Sequence, residues 1–251
     1  MENWKQFLLK ENESPLQVMV CGDSIMNHAF PPYNSRKILK NLGLSSKNSY
    51  IMRYAIPGNT VGMISRKQIP NALSQAKRRA GGSGVVVVVN GGINNAPGCG
   101  IDSYVDRRGK IKPLPEYKYK YHKVSEVKKV WGEIASKVIA SGQNTLVIVP
   151  IFKTVEKPNI YRSKFYGNPA WYRRRAQKRI GSKKRPYSID EAINEINAYL
   201  KTLADNKRVF YVDELENTTA DHEDGLHYTR STSFKIAQTI INFVKEKIHS
   251  N

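Results

Sequence analysis

The sequence predicts an α/β fold: a parallel sheet sandwiched between two helical layers. Three observations predict it. Five consecutive valines, Val85 to Val89, read as a strand covered on both faces, the composition of a central parallel strand. Short apolar runs alternate with helix-period segments along the chain, the order of βαβ units. A length of 251 residues and an apolar content of 40% suffice for one α/β domain with a sizeable core.

The elements follow in order. Residues 17–21 read as a buried strand running straight into Gly22-Asp23-Ser24. Residues 34–43 read as a helix stopped by Gly43, and 50–54 as the second strand. Residues 60–80 carry an apolar stripe at 61, 64, 69, 72, 73 and 76, with a kink or break expected at Pro70. The valine run is the third strand, broken by Asn90-Gly91-Gly92. Residues 96–120 are rich in proline and glycine and read as loop. A helix is expected over 124–141, a fourth strand over 144–151, a helix over 189–204 with Ser188 and Glu191 as its capping box, a fifth strand over 209–212 and a closing helix over 232–248. Both flanks of the basic stretch 152–187 belong to this alternation. The chain is therefore expected to be one domain, 1–251, with that stretch as an inserted loop.

Charge is the most unusual bulk property. There are 41 Lys+Arg against 21 Asp+Glu, a formal net charge of +20. No acidic residue occurs from Ser24 to Ile101. Such a distribution favours polyanionic partners, chiefly nucleic acid. The insertion offers candidate contacts at Arg162, Lys164, Arg173, Arg174, Arg175, Lys178, Arg179, Lys183, Lys184 and Arg185, threaded with aromatics such as Tyr161, Trp171 and Tyr172. Aromatics beside cations suit stacking on unpaired bases with phosphate contacts alongside. An anionic membrane and an acidic partner stay open as other destinations, and a charge run is often only a solvated face. Tyr117 to Tyr121 alternates tyrosine and lysine and would form a second patch if extended. Two cysteines, Cys21 and Cys99, make no disulfide framework, and no apolar run is long enough to span a bilayer. The N-terminus lacks a signal-peptide core, so the protein is expected to be soluble and intracellular.

Chemistry concentrates at strand ends. In a parallel α/β sheet ligands bind at the carboxyl edge of the strands. Ser24 follows the first strand, Gly58 the second and Asn94 the third, and His227 lies between the fifth strand and the last helix. A serine hydroxyl needs a base to become a nucleophile, and His227 supplies one. Asp224, three residues before it, supplies a carboxylate to orient the ring. The amides of Ser24 and Gly58 and the side chain of Asn94 would form an oxyanion hole. Each piece is weak in isolation, since Gly-Asp-Ser and Asp-x-x-His occur in ordinary turns and helix starts. Their order and common edge carry the reading. His28, His122, His222 and His249 are expected as surface or helix-face residues. No metal site or cofactor is expected, because Asp221, His222, Asp224 and His227 have no second His/Cys group at ligand spacing.

The segments Cys21-Gly22-Asp23-Ser24-Ile25, Ala55 to Thr60, Gly92-Ile93-Asn94-Asn95 and Asp224-Gly225-Leu226-His227 resemble, in order, the four blocks of SGNH hydrolases, the GDSL-type esterases and lipases. The resemblance implies a flavodoxin-like three-layer fold with strand order 2-1-3-4-5. It also implies metal-independent hydrolysis of a short acyl or acetyl ester through an acyl-enzyme. One departure stands out: block three usually ends in Asp, and here Asn95 takes that place. The basic body is similar to the Oskar-type SGNH-like domain, which binds RNA but lacks the catalytic set. The alternative function is accordingly an SGNH-like nucleic-acid-binding module with little or no hydrolase activity.

Overall fold

The computed structural model describes residues 15–44, 49–79, 84–95, 103–105, 111–113, 124–153, 189–222 and 227–249. Five parallel strands make the main sheet: β1 (Gln17–Cys21), β2 (Tyr50–Arg53), β3 (Val86–Val89), β6 (Thr145–Ile148) and β7 (Val209–Tyr211). Their spatial order is β2-β1-β3-β6-β7, which is 2-1-3-4-5 when the main-sheet strands alone are numbered. The valine run lies where its composition demands. Val86 to Val89 are buried between β1 and β6, with Val88 registered against Val20 on one side and Val147 on the other.

Helices cover both faces. On one, α7 (Arg230–Val244) packs on α1 (Ser24–Ala29) and α2 (Pro32–Asn41). On the other, α5 (Val124–Ala140) packs on α4 (Ile69–Arg79) and α6 (Ile189–Thr202). Trp131 of α5 and Phe30 after α1 are among the largest buried side chains, one in each helical layer.

Two expectations need correction. The stretch 96–120 is not all loop: β4 (Ser103–Val105) and β5 (Ile111–Pro113) form an antiparallel pair. Three-residue strands carry too short an alternation to be read among so many turn residues. The helix across Pro70 is continuous rather than broken. It begins as α3 (Val61–Met63), widens into a π turn over Ile64–Gln68 in which the Ile69 N–H bonds Ile64 O, and resumes as α4. Pro70 has no N–H to offer the preceding turn, so the change of register falls where the α-helical ladder would be interrupted anyway. Helix α1 has no counterpart among the expected elements; six residues are too few to show a helical period. The expected cap Ser188, the tyrosine–lysine run and Cys99 lie outside the described residues.

Candidate active site

The site begins with the way β1 ends. A Cβ on Gly22 would lie 2.8 Å from the Asn90 carbonyl oxygen and 2.6 Å from Met26 Cγ, so only glycine lets β1 pass this close to the end of β3. The Gly22 peptide is then gripped by a buried side chain. Its N–H donates to Gln68 Oε1 at 2.7 Å, and Gln68 Nε2 donates to its carbonyl at 2.8 Å. Gln68 is the last residue of the π turn. The irregular turn that accommodates Pro70 thus also presents the amide that fixes the approach to the serine. π turns recur at functional sites for this kind of re-aiming.

Asp23 caps the helix that starts at Ser24. Its Oδ1 accepts from Ile25 N at 3.0 Å and its carbonyl from Asn27 N at 3.0 Å. The side chain is fully buried, and among the described residues Oδ2 has no hydrogen-bond donor. Burial pushes the Asp23 carboxyl up to about 7, although the Ile25 N–H and the charge of His227 pull it down. Ser24, the first residue of α1, is buried but less completely than Asp23, with 8% exposure against none.

The histidine arrives from the opposite end of the chain. His227 Nε2 lies 2.8 Å from Ser24 Oγ, across a sequence separation of 203 residues. Its loop is anchored by Asp221. That carboxylate accepts from Thr229 N at 2.7 Å and Thr229 Oγ1 at 2.9 Å, and from Thr232 Oγ1 at 2.5 Å. Burial acts to raise the Asp221 pKa, but these donors outweigh it and hold the carboxyl below its ordinary value. Thr229 is in turn the N-cap of α7, and the His222 N–H bonds the His227 carbonyl at 3.1 Å. His28, exposed on α1, also neighbours the site, with its ring centroid 5.3 Å from that of His227. Asp224 lies outside the described residues, as do all ten insertion cations named as nucleic-acid contacts.

Blocks two and three are stitched to each other and to β1. The Ile56 N–H bonds the Gly22 carbonyl at 3.1 Å. Asn94 Nδ2 donates to the Asn59 carbonyl at 3.0 Å, and Val61 N donates to Asn95 Oδ1 at 3.0 Å. Asn95 is buried. Its carbonyl oxygen accepts from the first residue of α3, a bond for which a carboxylate oxygen would serve equally. The departure from the usual Asp therefore keeps the acceptor. Asn90 Nδ2 ties the end of β3 to the Pro150 carbonyl at 2.7 Å. Gly58 has φ +78°, while a Cβ there would meet nothing within 4 Å. Glycine is required at 58 by the left-handed backbone and not by crowding. Among the described residues the Ser24 and Gly58 amides have no hydrogen-bond partner.

Of the residues that sequence reasoning named, the structure brings Ser24 and His227 together and ties Asn94 to Asn59. Sequence reasoning missed Gln68, Asp221 and the burial of Asp23. Gln68 stands at i+4 from Ile64 and i−4 from Ala72, in phase with the buried stripe, so a polar residue on the apolar face was the signal that could have found it. A capping Asp eight residues before its Thr partner, by contrast, matches no short-range pattern.

No protein-family model matches the sequence, and no curated protein is detectably similar to it. Solved structures are similar over almost the whole chain. The aryl esterase of M. smegmatis aligns with a TM-score of 0.55 at 11% identity, covering 92% of this chain and 100% of the other. A carbohydrate acetylesterase from Sinorhizobium meliloti aligns at 0.53 and 15% identity, covering 91% and 98%. A candidate SGNH hydrolase from Slackia heliotrinireducens aligns at 0.51 and 12% identity, covering 91% and 98%. With the strand order and flanking helices described, this chain has the SGNH-hydrolase fold.

Proposed function

We propose that the chain is a serine esterase of the SGNH type that hydrolyses a short acyl or acetyl ester through an acyl-enzyme. The observation that carries this is the 2.8 Å contact between Ser24 Oγ and His227 Nε2. His227 takes the hydroxyl proton as Oγ attacks the ester carbonyl, and the electron pair of the C=O moves to oxygen. That oxyanion is met by the Ser24 and Gly58 N–H groups and by the second hydrogen of the Asn94 amide, whose first is given to Asn59. The intermediate collapses and expels the alcohol, which takes the proton from His227. Water then repeats the sequence on the acyl-enzyme and releases the acid. Asp224 is assigned the role of orienting the imidazole. The buried Asp23 adds a negative charge close to His227 whenever it is ionised. The acyl class follows the kind of ester named for two structural neighbours, an aryl esterase and a carbohydrate acetylesterase.

Labelling with a fluorophosphonate tests the reading without a choice of substrate. Wild type should form a covalent adduct on Ser24 that is absent from Ser24→Ala. An unlabelled wild type that is folded would overturn it.

A second reading, compatible with the first, is favoured by charge. With a net charge of +20 and no acid between Ser24 and Ile101, the chain binds a polyanion, and in the limiting case does so as a nucleic-acid-binding module with little hydrolase activity. Labelling separates the limiting case from the enzyme.

A further inference from the structure

Seven of the nine cations in the described stretches between 15 and 95 lie on β2 and on the two helices nearest it. β2 is the outermost strand; α2 packs on it, and α4, in the other helical layer, packs on β1 and reaches β2 through Arg79 over the Tyr50 ring, 5.8 Å from its centroid. Arg36 and Lys40 of α2, Arg53 of β2, and Lys77, Arg78 and Arg79 of α4 are all exposed. Among the described residues none is paired with a carboxylate. The only acidic residue in the described stretches between 15 and 95 is Asp23, which is fully buried. The opposite edge is built differently. There Lys201 pairs with Asp213 at 3.0 Å and Glu216 at 2.6 Å, whereas at the β2 edge Arg53 and Arg78 donate, among the described residues, only to the neutral groups of Asn27 and Ser74. Cations at a helix C-terminus favour the helix dipole, which accounts for the last turn of α4 but not for Arg36 or Arg53. Leaving these charges together and unneutralised costs self-repulsion, and an anionic partner removes that cost.

We infer that this β2 edge, flanked by α2 and α4, is a docking surface for single-stranded nucleic acid, contacted through its phosphates. The assignment rests on the polyanion partner proposed for this chain and gives it a place other than the 152–187 insertion. Three features select the partner. The surface carries one sign of charge throughout, which matches a uniform polyanion better than the mixed charges of a protein face. Its cations lie on helices on opposite sides of an edge strand, a shape that a strand can wrap and a flat bilayer cannot follow. Each helix is about 15 Å long, the reach of several phosphates. Tyr33 is 61% exposed at the start of α2. Tyr33, Arg36 and Lys40 are spaced i, i+3 and i+7, so a base-stacking ring shares a helix face with two phosphate contacts.

The test measures binding of a labelled single-stranded oligonucleotide of about 20 nucleotides, as RNA and as DNA, against salt. Three proteins are compared: wild type, an edge variant (Arg36→Gln, Lys40→Gln, Arg78→Gln and Arg79→Gln) and an insertion variant (Arg173→Gln, Arg174→Gln and Arg175→Gln). The edge variant should bind at least about tenfold more weakly, with a log–log salt slope shallower by about 0.7 for each phosphate that it no longer neutralises. If it unfolds, the pairs Arg36/Lys40 and Arg78/Arg79 are changed separately. Unchanged affinity and slope in the folded edge variant would overturn the site while leaving the polyanion partner intact. Absence of binding by wild type at low salt would overturn both. Edge-dependent capture of phosphatidylserine vesicles with no oligonucleotide binding would replace the strand by a lipid surface. A difference between the RNA and DNA arms reports whether the 2′-hydroxyl is read.

Discussion

The carboxyl rim of the sheet and its β2 edge use polar residues in opposite ways. At the rim, side-chain amides are buried and matched to particular backbone groups, as with Gln68 on the Gly22 peptide or Asn95 on Val61. At the edge, Arg36, Lys40, Arg78 and Arg79 stand in solvent without a carboxylate partner among the described residues. A buried hydrogen bond depends on tenths of an ångström and is expensive to leave unmade. An exposed charge acts through a field summed over many neighbours. Single substitutions should therefore be severe at the rim and nearly silent at the edge, where only combined changes register.

The largest effect is expected at the nucleophile. Ser24→Ala should lower hydrolysis of p-nitrophenyl acetate by about a thousandfold or more with an unchanged far-UV spectrum. Turnover equal to wild type would remove the rim from the chemistry altogether. Next comes Gln68→Leu. It fills the same space but leaves the Gly22 N–H without its acceptor and takes one donor from its carbonyl, at a cost of about 2–4 kcal/mol in denaturant unfolding. A loss below about 0.5 kcal/mol would show that the clamp is ornamental and that backbone contacts alone hold the turn.

Asp23→Asn acts in the opposite direction and depends on pH. Burial raises the Asp23 pKa from its ordinary value to about 7, so between those values the folded state binds more protons than the unfolded one. Stability from this group is therefore greatest in acid and declines as pH rises towards 7. Asparagine removes that penalty but buries an amide, and the net gain should be on the order of 1–2 kcal/mol at pH 8, vanishing near pH 4. Melting temperatures of both proteins at the two pH values check the sign; a variant less stable at pH 8 would mean that the ionised carboxylate finds a compensating donor. Smallest of all is a single edge change. Arg79→Gln should alter stability by less than about 0.5 kcal/mol, since its contact over the Tyr50 ring, 5.8 Å away, is largely solvent-exposed. A large loss from this one residue would mean that the edge, like the rim, is built from matched contacts.

Much of this architecture is visible in the order of residues. Valine runs and helix-period stripes identify the layers because each strand must be buried on two faces and each helix on one. The same logic places Ser24, Gly58, Asn94 and His227 at one edge, since each follows a strand. β4, β5 and α1 are too short to show a period. Gln68 falls on the apolar stripe, so its burial is legible, but its partner, the Gly22 peptide 46 residues away, is a tertiary contact that no periodicity contains.

What the amino-acid order decides here is local and periodic: which segments are strands, which faces are apolar, and which turns demand glycine. The fold decides what is distant. It brings an imidazole to 2.8 Å from a hydroxyl 203 residues away, buries Asp23 so that its charge is costly, and gathers the cations of α2, β2 and α4 along one margin. Periodicity reports burial against an average partner. Contact distance, desolvation and field depend on the particular partner, and only the closed sheet supplies it.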